Sequence, residues 1–530
     1  MNRAPEEKSY EQLSPFELKN KLIAMAEKRS EKLLLNAGRG NPNWVATEAR
    51  HAFFLLGNFA MEEAYRVMSR PGLAGAPSAS GSAGRFREFC LIHSETRGAQ
   101  FLADALNHVT TGMGLNGDEF IGEMVDGILG DHYPTPDRVL VNTEKIVRAY
   151  LDVAMCDSRP PEGTMDIFLT EGGTAAMTYI FNTLRENHLV KKGDKIALGT
   201  PIFTPYLEIP VLNDYELVVV DVEQNEDKDW QYTDAELEKL ADPDVKAFFL
   251  VNPSNPSSVS IAEESLQKIA DLVRDKRKDL IILTDDVYGT FVNGFRSLAA
   301  IAPKNTILVY SYSKYFGATG WRLGAIGISR DNVMDEMIAA LPEDKKMELH
   351  ERYVTISREP DSIKLIDRLV ADSRTVALNH TAGLSTPQQV MMVLFSLQEI
   401  LDLESRLYRK EVQDVVRERY NTLYAALGEE PVELTCYAKY YATIDIHKLA
   451  VKRHDEEFAT WLKTTHEPID FVWRLAAEKD VVLMDGGGFD APEMSVRVSL
   501  ANLNKADYEK IGHAVRELLE EYVSEWKAGE

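Results

Sequence analysis

Two serine hydroxyls, an amine, three glycines and a guanidinium fall within the stretch Ser311-Tyr-Ser-Lys-Tyr-Phe-Gly-Ala-Thr-Gly-Trp-Arg-Leu-Gly324. An amine can condense with a carbonyl, and hydroxyls with an arginine can hold a phosphate through charge-assisted hydrogen bonds. The stretch follows Thr306-Ile-Leu-Val-Tyr310, a short apolar run rich in β-branched and aromatic residues that reads as a buried strand. Lys314 therefore stands at a strand's carboxyl end. A lysine in that place is usually a solvated loop residue, so its weight depends on what other strands bring to the same edge.

Polar, ligand-type residues follow one apolar run after another. After Phe168-Leu-Thr170 comes Glu171-Gly-Gly-Thr174, a glycine turn opening a helix, whose free N–H groups suit an anion; it is neither a Walker nor a dinucleotide pattern. Thr200-Pro-Ile-Phe-Thr-Pro-Tyr206 supplies the ring of Phe203 and, as a substrate-side candidate, Tyr206. Asn252-Pro-Ser-Asn-Pro-Ser-Ser258 and Asp285-Asp-Val-Tyr288 follow two further runs. An aspartate ending a buried strand is costly unless it meets a cation; Asp286 reads as a surface residue.

The strand-like runs are Asp166–Thr170, Lys195–Leu198, Leu217–Val220, Ala247–Val251, Leu280–Thr284, Thr306–Tyr310 and Ala325–Ile328, most of them separated by helical segments. That alternation implies an α/β fold built on a mainly parallel seven-stranded sheet with helices on both faces, where ligands bind beyond the strands' carboxyl ends. Residues 131–387 are assigned to this large domain, with a charged helical insertion at about 331–375. Residues 388–530 read as a smaller C-terminal α/β domain, joined by residues 1–50, and 51–130 as a helical insertion. The small-residue run Pro71–Gly84 reads as a flexible loop. Two glycine-rich turns compete for close approach to a ligand, one with Gly38, Arg39 and Gly40, the other with Gly114.

A length of 530 residues calls for two or three domains. A net charge of −25 argues against nucleic acid, which needs a basic face. Three widely spaced cysteines suggest neither a disulfide framework nor a metal site, and point to a reducing compartment. With no apolar leader at Met1 and no run near the ~20 residues of a membrane span, a cytoplasmic protein is expected, with no membrane partner.

Ser-x-Ser-Lys followed by Gly-x-Arg-x-Gly resembles the cofactor-lysine segment of fold-type I pyridoxal phosphate enzymes, the aspartate aminotransferase family. The resemblance spans residues 30 to 505 in the correct order. It implies that Lys314 binds pyridoxal 5′-phosphate covalently and that Gly173, Thr174, Ser311, Ser313 and Arg322 hold its phosphate. It further implies that Phe203 stacks on the ring, Asn255 and Tyr288 meet the phenolic oxygen, and Asp285 meets the ring nitrogen. Arg497, in Ser495-Val-Arg-Val-Ser499, matches the arginine that grips the substrate's α-carboxylate, and Tyr133 a tyrosine reaching the phosphate from the neighbouring subunit. Asn255-Pro-Ser-Ser departs from the family's Asn-Pro-Thr-Gly by placing Ser258 where glycine stands.

In length, insertions and the segment Leu35–Trp44 the chain is similar to the bacterial aspartate 4-decarboxylases. This implies decarboxylation of L-aspartate to L-alanine, side transamination with keto acids, and a homodimeric unit within a larger homo-oligomer, a dodecamer in that family. A plain aminotransferase, or a non-enzymatic binding module of the same fold, stays open. Arg374 and Arg39 are the arginines expected within reach of the substrate's distal carboxylate, and Gly40, Gly114 and Asn255 complete the substrate-side candidates.

Overall fold

The computed structural model describes residues 10, 13–29, 34–211, 215–374 and 383–529. Eight strands form the central sheet: β1 (Met165–Thr170), β2 (Lys195–Thr200), β3 (Val218–Asn225), β4 (Gln231–Tyr232), β5 (Val245–Val251), β6 (Ile281–Asp285), β7 (Thr306–Ser311) and β8 (Gly324–Ser329). Their order is β1-β8-β7-β6-β5-β2-β3-β4. The run from β7 through β6, β5 and β2 to β3 is parallel, while β8 lies antiparallel to both β7 and β1. All seven expected runs are strands. The sheet exceeds the expected seven by β4, whose two residues are too short to show a period; β3 runs on to Asn225 because it pairs there with β4.

The sheet is buried on both faces, which is why its strands read as continuous apolar runs. On one side Phe249, Leu283 and Val309 join a core with the helices Val141–Cys156 and Thr386–Leu401. On the other, Phe248, Leu250 and Ile282 pack under the helix Glu263–Asp275. Since β1, β2, β5, β6 and β7 share one direction, the residues that follow them all emerge along a single edge.

The helices Thr47–Val67, Ser82–Ile92, Ala99–Asn107 and Gly117–Leu129 precede the sheet. Within residues 71–84, expected to be a flexible loop, Leu73–Ala74 pairs with Ser69–Arg70 and Ser82 already begins a helix. Asp118 fixes that start by accepting hydrogen bonds from the amides of Gly81 (2.7 Å) and Ala83 (2.9 Å), a tie from a distant residue that small side chains in sequence do not announce.

A second core lies beyond the carboxyl edge. It gathers Leu18, Leu22 and Leu35 with Leu423, Val496, Val498, Tyr508 and Leu519. Its sheet, in the order β9-β11-β10, comprises β9 (Tyr441–Asp445), β10 (Met484–Asp485) and β11 (Ser495–Ser499), all antiparallel. Leu35–Asn36 pairs with Val481–Val482, which brings the segment of Gly38 and Gly40 alongside β11. Among the described residues no helix is long and apolar enough to cross a membrane.

Candidate active site

A cavity of about 200 Å³ opens along the carboxyl edge, between the central sheet and the Gly40, Tyr441 and Arg497 side. Gly40, Gly173, Thr174, Phe203, Tyr206, Asn255, Asp285, Tyr288, Ser311, Ser313, Lys314, Arg322 and Arg497 all line it.

At one end Gly173 and Thr174 open the helix Gly173–Glu186, whose first amides are free for an anion. Gly172 before them has φ +93°, and a Cβ there would stand 2.4 Å from Arg322 Nη2, so only glycine lets the guanidinium settle over the turn. Arg322 takes the left-handed conformation (φ 56°), and its Nη1 donates to the carbonyl of Thr319 at 2.9 Å. Ser311 Oγ donates to Ser313 Oγ at 2.9 Å. Among the described residues Arg322 makes no ion pair, which leaves a concentrated positive end suited to a phosphate.

Asp285 ends β6 with its accessible edge toward the cavity and protein around the rest. Burial pushes its carboxyl up to about 6, against the opposing pull of the Val287 amide, the Tyr206 hydroxyl and the Lys314 charge. Tyr206 is fully buried and donates to Asp285 Oδ2 at 3.4 Å. Its hydroxyl is thus committed to the aspartate, at the wall of the cavity. Asp286 is fully buried too, contrary to the surface position expected. Its amide donates to Val309 and its carboxylate accepts the Thr284 hydroxyl, inside the sheet's packing.

Lys314 Nζ donates to the carbonyl of Gly40 at 2.9 Å. Burial lowers its pKa below the ordinary lysine value; Tyr441 and Asp285 oppose the change, and Arg497 and Arg322 add to it. Arg497 is 2% exposed. Its Nη1 donates to Asn255 Oδ1 at 3.1 Å and its Nη2 to the Gly38 carbonyl at 3.0 Å. The guanidinium lies between the rings of Tyr441 (4.3 Å) and Phe489 (4.7 Å). No carboxylate among the described residues pairs with it. A buried arginine held only by neutral groups calls for an anion from outside the chain.

The cavity contains residues that the sequence did not single out, chiefly Phe16, Met177, Thr319 and Tyr441. Phe16 meets Phe203 edge-on at 6.0 Å. Lys19, one turn further along the same helix, is depressed first by burial and then by the nearby charges of Arg39 and Arg497. Nothing marks these two in an interleaved charged helix. Tyr441 is the first residue of β9, and its sequence neighbours carry no ligand-type pattern.

Four expected residues do not line the cavity. Gly114 occupies a turn at φ +67° where a Cβ would touch nothing of its own chain within 4 Å, whereas Gly40 lines the cavity. Arg374 pairs with Asp137 at 3.2 Å. Arg39 is exposed but electrostatically coupled to Lys19. Tyr133 is 69% exposed, outside its own chain's cavity.

The aminotransferase class I and II family matches residues 161–515. A bifunctional aspartate aminotransferase and L-aspartate beta-decarboxylase from a Pseudomonas species is 49% identical over 98% of this chain and 98% of its own length. Among solved structures, an aromatic aminotransferase from Pyrococcus horikoshii aligns with TM-score 0.57 at 17% identity, over 94% of this chain and 99% of its own. Aspartate aminotransferase from Thermus thermophilus with maleate aligns with TM-score 0.56 at 16% identity, over 96% of each chain. The last two establish the shared fold.

Proposed function

The chain belongs to the class I and II aminotransferases, a pyridoxal 5′-phosphate family, and on that footing we propose that it removes the β-carboxylate of L-aspartate, releasing L-alanine and carbon dioxide, with aspartate transamination as a second outcome at the same site.

The residues fit the cofactor. The anion-ready end at Gly173, Thr174, Ser311, Ser313 and Arg322 suits its phosphate, and Phe203 offers a ring face. Asp285, whose proton affinity is raised by burial, is the partner for a protonated ring nitrogen. Tyr288 and Asn255 would meet its phenolic oxygen, and Lys314 would supply the amine. Bound there, the cofactor supplies an electron sink conjugated to the substrate's α-amino group.

The chain supplies the rest. Arg497 forks onto the α-carboxylate and thereby orients the α-hydrogen toward Lys314. Lys314, biased toward the neutral amine by burial, takes that proton and returns it. Lys19 and Arg39 are the cations gathered near Arg497, and they meet the distal carboxylate. A partly exposed lysine with an exposed arginine grips less firmly than a buried bidentate fork. That suits a group departing as neutral carbon dioxide, because a strong ion pair would stabilise the ground state more than the transition state.

The observation that carries the reading is Arg497, buried and without a carboxylate beside Lys314, in a chain whose end-to-end relative is named for both reactions. Product analysis with L-aspartate as sole substrate tests it. Alanine and carbon dioxide should form without an added keto acid; a plain aminotransferase would release neither.

In this reading the active unit is a homodimer, with Tyr133 reaching the partner's site, dimers assemble into a dodecamer, and the enzyme works in the cytoplasm. The exposure of Tyr133, Phe54, Leu91 and Ile92 supports the assembly, and the mass in solution tests it.

A further inference from the structure

Tyr441 lines the cavity, yet none of the roles above requires it. Its hydroxyl lies 2.9 Å from that of Tyr288. A Cβ placed on Gly40 would stand 2.5 Å from the same hydroxyl and 3.2 Å from Lys314 Nζ, so the Tyr441 hydroxyl and the reactive amine meet at the same glycine. Each phenol has a single proton to donate. If Tyr288 gives its proton to the cofactor's phenolic oxygen, the bond between the two tyrosines must be donated by Tyr441. A donor in such a chain strengthens the next one.

The placement of Tyr441 is built into the fold. Ser258 occupies a left-handed conformation (φ 65°) at the end of the Asn255 turn, where a glycine would rest without strain. Its Oγ accepts hydrogen bonds from the amides of both Tyr440 (3.0 Å) and Tyr441 (3.1 Å). A glycine could make neither bond, so the serine ties the start of β9 to the cofactor-side turn. Arg497 over the Tyr441 ring at 4.3 Å draws electron density from it and favours donation. The ionisable groups facing the pair are Lys314 from the loop after β7, Arg497 from β11 and Tyr440 beside it.

We propose that the Tyr441 hydroxyl, anchored by Ser258, donates to Tyr288 and through it sets the proton balance of the lysine-linked cofactor. This rests on the cofactor reading above. A stronger Tyr288 donor favours the anionic ring oxygen and lowers the proton affinity of the linkage to Lys314; loss of the Tyr441 hydroxyl raises it.

The test is the pH titration of the visible absorption of purified, cofactor-loaded protein, without substrate. Tyr441→Phe keeps the ring against Arg497 and should raise the midpoint by roughly 0.4–1 unit, the size of one hydrogen bond. Tyr288→Phe should raise it further, and adding Tyr441→Phe to that variant should change nothing more. Ser258→Gly, which relieves the backbone while removing the anchor, should give a smaller shift of the same sign. An unchanged midpoint in Tyr441→Phe, or an equal Tyr441→Phe shift with and without Tyr288, would overturn the proposal. A wild-type protein with no titrating visible band would instead sink the cofactor reading itself.

Discussion

Replacing Asp285 by asparagine should stabilise the cofactor-free protein at neutral pH while disabling the loaded enzyme. Burial lifts the Asp285 carboxyl from 3.8 to about 6, and two units correspond to about 3 kcal/mol. Because the folded chain holds this proton more tightly than the unfolded one, the associated stability is fully present below about pH 4 and is lost as pH rises through about 6. Above pH 7 the stripped wild type therefore carries an ionised, ill-solvated carboxylate that asparagine lacks. Asp286, pushed up to about 7, titrates in both proteins and largely cancels. Denaturant midpoints of the stripped proteins at pH 5 and pH 8 give the assay. The advantage of Asp285→Asn should widen by about 1–1.5 kcal/mol between the two. With cofactor added the order should reverse, since only the carboxylate gains a charged partner at the ring nitrogen. A gap that is the same at both pH values would refute the argument, as would a variant less stable than wild type at pH 8.

Two further outcomes follow from the site. Arg497→Lys keeps the charge but loses the fork, so kcat/KM for aspartate should fall roughly ten- to a hundredfold, equivalent to one charge-assisted hydrogen bond; an unchanged value in steady-state kinetics would remove Arg497 from the α-carboxylate. Lys314→Ala should fold yet show neither turnover nor the lysine-linked absorption. Mixed with Tyr133→Phe subunits, it should regain part of the lost activity in verified heterodimers, and no recovery would count against a shared site.

Much of this was legible because a parallel sheet sends its ligand residues to one edge. Each of Gly173, Asn255, Asp285 and Lys314 follows an apolar run, and strand direction alone brings them together. The residues that close the cavity from the other side carry no such mark. Phe16 and Lys19 sit on a helix whose charges interleave as on any solvated surface, and only the second core reveals what that helix faces. Tyr441 is one of two adjacent tyrosines at the start of a strand, and the anchor that aims it lies at Ser258, far away in sequence. Gly114 and Gly40 read alike because a turn glycine looks the same whether or not it lines a cavity of its own chain. The ion pair of Arg374 with Asp137 joins residues over two hundred positions apart, so the sequence could not show it. Asp286 departs from the surface position expected because charge beside a strand end ordinarily faces water, whereas here it is buried and one of its carboxylate oxygens accepts the Thr284 hydroxyl.

The joining of residues 18–37 with residues 420–523 in one core has a consequence for the chain's birth on the ribosome. Every residue proposed to touch the phosphate and ring has been synthesised by Arg322, but the apolar partners of Leu18 and Leu22 emerge only roughly 400 residues after them. At about 5–20 residues per second that is a wait of roughly 20–80 s. During it the helix Pro15–Arg29 lacks these partners, and the central sheet can assemble with its carboxyl edge open. The nascent chain thus presents an accessible cradle before Tyr441 and Arg497 exist to narrow it, and the last part of translation closes the site from both ends of the sequence at once.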